Sequence, residues 1–251
     1  MAAMLKQKKH RDELSCFLVE GPRMLEEAVK SDWDIDFCLC STEAVENNRI
    51  QRLLYGLPSQ IRVIQVSEEL FKKVSDTEEP QGILAVVKKK NTSIREIVNS
   101  QEPFVVILDE IQDPGNVGAI IRTAAAAGST GVLLTKGCAD AFGTKTVRAT
   151  MGSLFHLPVI QGLSKQEIIL ILAEQNIDMY VTSLEASKLY YGLDFTRRMA
   201  MVFGNEGNGV SQELLNAAKE RIHIPLLRNV ESLNVAASAA VILYEVVRQR
   251  G

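Results

Sequence analysis

Three stretches of this chain combine polar or charged side chains with residues that let a backbone turn sharply. In Gly204-Asn205-Glu206-Gly207-Asn208-Gly209, three glycines surround one carboxylate, so the backbone can approach a ligand closely or take positive φ at several positions. The stretch follows the apolar run Met199–Phe203 and lacks the Lys-Ser/Thr ending of a phosphate-binding P-loop, which disfavours a triphosphate. In a second stretch a tight Asp113-Pro114-Gly115 turn leads to Asn116, a helix N-cap by type, with Arg122 six residues on in an apolar, Ala-rich helix. A guanidinium there needs a partner. Either it pairs internally with Asp109 or Glu110, or its planar fork grips a phosphate or ribose. In the third stretch, Ile222 to Ala240, a strand ends at Pro225, a polar loop follows, and Ser232 or its neighbour begins an apolar helix. Ser232 and Asn234 are the polar groups at that start, as caps or as substrate contacts.

These loops need strands to hold them. Phe104 to Leu108 is a continuous apolar run of the kind found in buried parallel strands. Further strands are expected at Val132 to Leu134, Val159-Ile160, Met179 to Val181 and Met199 to Phe203, with helices between them and a last helix over Ser232–Gln249. Such alternation predicts a parallel sheet covered on both faces. Before it, Phe17 to Val19, Phe37 to Leu39, Ile61 to Ile64 and Ile83 to Val87 read as strands, with helices over Pro22–Lys30, Thr42–Tyr55 and Ser67–Val74. Pro22 suits a first helical turn and Ser67 an N-cap. The polar stretch from Asn91 to Pro103, with a short helix around Ile94 to Val98, is the join between a domain over residues 1–98 and one over residues 99–251.

In order, Asn116 with Arg122, Gly204-Asn205-Glu206-Gly207, and Ile224-Pro225 followed by Ser232-Leu233-Asn234-Val235 resemble the motifs of the SpoU (TrmH-type) RNA ribose 2′-O-methyltransferases, within the SPOUT class. The stretch from Lys145 to Phe155 is similar to the family too, and the N-terminal half resembles its substrate-binding domain. The resemblance implies an α/β fold whose C-terminal open parallel sheet ends in a deep trefoil knot, preceded by a small ribosomal-protein-like α/β/α RNA-binding domain. It implies S-adenosyl-L-methionine as cofactor, held around Phe203, Gly204, Asn205, Glu206, Gly207, Ile224, Leu226, Ser232 and Leu233. Arg122 is then the chief catalytic candidate, positioning phosphate and hydroxyl, with Asn116, Glu206, Ser232 and Asn234 holding the arrangement. Lys145 and Arg148 are candidate RNA contacts, with a solvated surface as their alternative role. The substrate implied is structured RNA, ribosomal RNA by analogy with the two-domain build, and the assembly a homodimer with its active sites at the subunit interface. Arg228 departs from the family, which often has glycine there.

The whole chain is compatible with that reading. A net charge of −3 excludes a uniformly basic nucleic-acid coat, so RNA contacts must be local. Lys6, Lys8, Lys9, His10 and Arg11 form one basic run, either a phosphate contact or a solvated terminus. The four cysteines lack metal-ligand spacing, so no metal site is expected, and Cys38 and Cys40 share one face of a strand. No apolar run approaches bilayer-spanning length and no signal-peptide core opens the chain, which predicts a cytoplasmic enzyme with no membrane partner. Three rivals are weighed: a transfer-RNA methyltransferase, a non-catalytic RNA-binding or ribosome-assembly factor on the same fold, and a dinucleotide-dependent oxidoreductase. The last lacks a Gly-x-Gly-x-x-Gly after the first strand of either half.

Overall fold

The computed structural model describes residues 1–228 and 230–251. They form two units, one of Met1–Asn91 with Phe142–His156, the other of Thr92–Ala141 with Leu157–Gly251.

The first unit is built on a four-stranded mixed sheet. Its strands are β1 (Cys16–Glu20), β2 (Ile35–Ser41), β3 (Arg62–Val66) and β4 (Ile83–Lys88), in the order β1-β4-β2-β3. Helices α1 (Lys8–Glu13), α2 (Pro22–Lys30), α3 (Asn48–Tyr55) and α4 (Glu68–Val74) connect them. Pro22 opens α2, and Ser67 caps α4 by accepting from the Leu70 amide. The Thr42–Tyr55 helix expected from sequence is shorter, because Asn47 accepts from the Arg49 and Ile50 amides and starts α3 there. Cys38 and Cys40, two residues apart on β2, are both buried. The basic run spans the end of a 3-10 helix, Ala2–Lys6, and α1, and is largely consumed internally. Lys6 reaches the Ser75 carbonyl and Asp76, buried Arg11 donates to the Leu5 and Lys6 carbonyls, and Lys9 and His10 face Glu13. Helix α7 (Thr144–Ala149) and the short 3-10 turn after it belong to this unit although they lie mid-way along the chain. Phe142 and Phe155 pack with Phe17 and Trp33, and the Trp33 indole donates to the Phe155 carbonyl.

The second unit carries β5 (Phe104–Asp109), β6 (Gly131–Thr135), β7 (Val159–Leu163), β8 (Asp178–Thr182), β9 (Lys188–Leu189), β10 (Met199–Gly204) and β11 (Glu220–His223). All pairings are parallel, in the order β7-β6-β5-β10-β8-β11-β9. Its helices are α5 (Ile94–Val98), α6 (Pro114–Ala126), α8 (Lys165–Glu174), α9 (Gln212–Ala217) and α10 (Val235–Arg250). Strands β5 and β10 are buried throughout, as their unbroken apolar runs require. From β5 the chain builds outward through β6 and β7, then returns to place β10 on β5's other side. That reversal opens a crevice beyond the carboxyl ends of the strands, where ligands bind in open parallel sheets. The loops after β8, β10 and β11 all end there.

Candidate active site

Those loops enclose a cavity of about 600 Å³, within the usual range for small-molecule sites. Phe203, Gly204, Asn205, Glu206, Gly207, Ile224, Leu226, Ser232, Leu233 and Asn234 all line it. Arg122 does not, and Asn116 touches it only through its neighbours. Lys145 and Arg148 belong to the other unit.

The loop after β10 closes on itself. Asn205 and Gly209 exchange backbone hydrogen bonds, both 3.0 Å, while Asn205 Oδ1 accepts from the Gly207 and Asn208 amides. Asn205 Nδ2 donates to the Glu110 carbonyl at 2.8 Å, tying this loop to the one after β5. Gly204 cannot carry a side chain, because a Cβ there would lie 2.3 Å from Gly209 C and 2.4 Å from the Val210 nitrogen. Beneath the loop, buried Asp109 accepts from the Ser211 amide at 2.8 Å and the Thr135 hydroxyl at 3.0 Å. Lys165 donates to Glu110 at 2.6 Å, and that carboxylate raises the lysine's pKa.

Two sequence expectations change here. Asn116 is not the cap of α6. Asp113 is, accepting from the Asn116 amide at 2.7 Å with Pro114 as the first helical residue, which leaves the Asn116 side chain free. Nor does Arg122 pair with Asp109 or Glu110, which are taken by Ser211, Thr135 and Lys165. Helix α6 buries Val117, Gly118, Ile120, Ile121 and Ala124, so Arg122 lies on the outward side, exposed and without a hydrogen bond or ion pair among the described residues.

The freed Asn116 joins two other polar residues. Its Nδ2 donates to Glu206 Oε1 at 2.7 Å, and its Oδ1 accepts from Asn234 Nδ2 at 3.0 Å. The amide orientations are determined, since Asn234 Oδ1 accepts from the Ala236 and Ala237 amides. Asn234, not Ser232, is therefore the cap of α10, and Ser232 stays in the cavity wall. Residues 118 and 90 positions apart thus form one chain, Asn234 to Asn116 to Glu206, at the cavity's edge.

Sequence reading missed part of the wall. Thr182, Ser183, Leu184 and Glu185 follow β8 and line the cavity, with Thr182 Oγ1 donating to the Val202 carbonyl and the Ser183 amide to that of Ile222. Ser238 and Ile242 contribute from α10. His223 lines it as well, its buried Nδ1 lacking a partner among the described residues, a polar atom that a ligand would satisfy. Among the described residues, the lining includes two carboxylates, Glu185 and Glu206, and no lysine or arginine. It fits a compact ligand with an apolar body and positive charge better than one bearing phosphates.

Residues 103–244 match the SpoU rRNA Methylase family, and residues 2–85 the MRM3-like substrate binding domain. The chain belongs to the SpoU rRNA methylase family. It is 36% identical, over 96% of its length and 92% of the relative's, to the 23S rRNA (guanosine(2553)-2′-O)-methyltransferase RlmP of Bacillus subtilis (strain 168). It is 33% identical to the 23S rRNA (guanosine-2′-O-)-methyltransferase RlmB of Escherichia coli (strain K12), over 82% of this chain and 87% of that one. Its fold matches the SpoU methyltransferase AviRb from Streptomyces viridochromogenes in complex with AdoMet, with a TM-score of 0.91 and 29% identity over 99% and 96% of the two chains. The α/β fold with its parallel sheet is that of the SpoU/TrmH methyltransferases. Among the described residues, no helix is long and apolar enough to cross a membrane.

Proposed function

We propose that this chain is an S-adenosylmethionine-dependent methyltransferase acting on a ribose 2′-hydroxyl of ribosomal RNA, with a guanosine of 23S rRNA as its target. The observation that carries this reading is the cavity at the strand ends, acidic and partly apolar, edged by the hydrogen-bonded Asn234–Asn116–Glu206 chain. The relatives named for guanosine 2′-O-methylation of 23S rRNA support the target.

S-adenosylmethionine supplies an electrophilic methyl group on a sulfonium. The glycine-rich loop lets backbone approach the cofactor, Leu226 and Ile224 wall its apolar side, and Glu185 and Glu206 suit its positive charge. A dinucleotide would bring two phosphates to a wall without a cation. What the protein adds is alignment of the ribose hydroxyl, since proximity and orientation supply most of the gain when the electrophile is already activated. Asn116 fixes one oxygen of Glu206 and leaves the other to accept a hydrogen bond from the substrate. Arg122, which resists deprotonation, holds phosphate and hydroxyl rather than acting as a base. Ser232 and Asn234 complete the pocket's edge. These polar residues, all retained, speak against a non-catalytic assembly factor.

The enzyme works in the cytoplasm as a homodimer. Ala119, Arg122 and Ala126 on the outward side of α6, and Ala237, Val241, Tyr244 and Arg248 on that of α10, recur every three or four residues, so each set forms one stripe. A second copy covers this face, and Arg122 of the partner subunit then completes the site. Helix α10 starts at the cavity, packs on α6, and is clasped at its far end through Gln249 and Arg250 by the Leu193–Phe195 backbone, an arrangement compatible with a deep trefoil knot in this stretch. Residues 1–98 recognise RNA shape, with Lys145 and Arg148 contributing phosphate contacts.

Calorimetry tests the reading. S-adenosylmethionine binds one per protomer and a nicotinamide dinucleotide does not; binding of the dinucleotide alone would overturn it.

A further inference from the structure

Half of the first unit's sixteen lysines and arginines are paired with carboxylates. Lys6, Lys9, Lys30, Arg49, Lys73, Lys88, Lys89 and Lys90 each face a carboxylate. Arg23, Lys145 and Arg148 are among those that do not: the first two are exposed, the third half-buried, and none has a hydrogen bond or ion pair among the described residues.

Contacts at both ends bring these three together. At one end Thr144 donates to the Asp76 carboxylate, and the Asp76 amide donates to Glu20, three residues before Arg23. At the other, a Cβ on Gly152 would lie 2.7 Å from Glu27 Cγ, and His156 Nε2 stands 3.1 Å from Glu27 Oε2. Six residues beyond Glu27, Trp33 meets Phe155. Residues 144–155 therefore run beside 20–33 in the same direction. Helix α7 packs on β1, which ends at Glu20, three residues before Arg23, and Arg23 stands one helical turn before Glu27 on the same face of α2, at the α7 end of this seam. The carboxylates along this seam are engaged: Glu20 by Ser75 and Thr77, Glu26 by Arg49, Glu27 by His156 and Lys30, and Asp76 by Lys6 and Thr144.

We infer that Arg23 joins Lys145 and Arg148 in one phosphate-binding surface for the RNA substrate, assembled from two stretches of sequence more than a hundred residues apart. The inference rests on the proposed RNA methyl transfer and names where, outside the cavity, the substrate's backbone is gripped. Phe142 and Phe155 are the anchors that hold the second stretch in register with the first.

The test is the salt dependence of binding to an unmodified 23S rRNA transcript. One phosphate contact contributes a slope of about 0.7 in log K against log salt and about fourfold in affinity at 0.15 M, on a single-strand scale. Arg23→Ala should lower the slope by about that amount, and the triple variant with Lys145→Ala and Arg148→Ala by about 2, with roughly fiftyfold weaker binding. Arg23→Lys should keep the slope. Lys8→Ala, which removes an exposed cation elsewhere in the unit, should leave it unchanged, as should every variant's affinity for S-adenosylmethionine. An unchanged slope for Arg23→Ala, or an equal loss for Lys8→Ala, overturns the inference. Failure of the wild type to bind S-adenosylmethionine would instead count against the proposed function.

Discussion

Replacing Gly204 by alanine should damage stability and cofactor binding together. The new methyl would sit 2.3, 2.4 and 2.5 Å from Gly209 C, Val210 N and Gly209 O. All three are backbone atoms, so no side chain can swing away. Restoring van der Waals separation means moving the return arm of the loop by about 1 Å, against the paired hydrogen bonds between Asn205 and Gly209. Overpacking of this kind costs about 1–3 kcal/mol, and at this chain length each kcal/mol lowers the melting temperature by about 2–4 °C. Because the displaced atoms are cavity wall, affinity for S-adenosylmethionine should fall at least about tenfold, or about 1.4 kcal/mol. Gly192→Ala is the control, since a Cβ there meets nothing within 4 Å and should change stability by less than about 0.5 kcal/mol. Scanning calorimetry and titration calorimetry read the two effects. A Gly204→Ala protein that melts with the wild type and binds cofactor within twofold would refute the reasoning.

Arg122→Ala and Glu206→Ala should each abolish methyl transfer, yet their co-expressed mixture should recover about a quarter of wild-type activity, because half the dimers hold one intact site. No recovery would place Arg122 in the same protomer's site or remove it from the mechanism. Asn116→Ala should cut the transfer rate at least about tenfold, the loss of a charge-assisted hydrogen bond, with cofactor affinity nearly unchanged; equal losses in both would assign Asn116 to the cofactor wall instead. Glu245 accepts from Arg248 at 2.7 and 2.8 Å and from Gln249 at 2.7 Å, and these partners hold its carboxyl at about 2. Its folded value lies below the ordinary carboxylate value, so its contribution is complete above about 4.5 and lost as pH falls towards about 2. Urea midpoints should fall over that window in the wild type and less steeply in Glu245→Gln; parallel pH curves would contradict this.

The cavity wall at Phe203 to Gly207, Ile224, Leu226 and Ser232 to Asn234 is legible in sequence, because glycines around a carboxylate after a buried strand, and a proline before small helical residues, are local signals. The Asn116 side chain is less so: two good capping residues stand three apart, and the choice falls to Asp113 because Pro114 follows it and suits the first helical position. Arg122's outward side follows from the stripe Val117, Ile120, Ile121 and Ala124, once that stripe is drawn around the helix. The Thr182–Glu185 wall and the membership of Phe142–His156 in the first unit have no such signal. The first depends on β8 lying between β10 and β11, and the second on aromatic packing between residues more than a hundred positions apart.

The central claim is that the Asn116, Glu206 and Asn234 chain serves methyl transfer to a ribose. The most direct measurement incubates purified enzyme with methyl-labelled S-adenosylmethionine and unmodified 23S rRNA transcript, then hydrolyses the RNA in alkali. A 2′-O-methyl group blocks cleavage at its own nucleotide, so the label should appear in an alkali-resistant dinucleotide beginning with guanosine. Label that appears only in mononucleotides, meaning methylation on a base, would contradict the account.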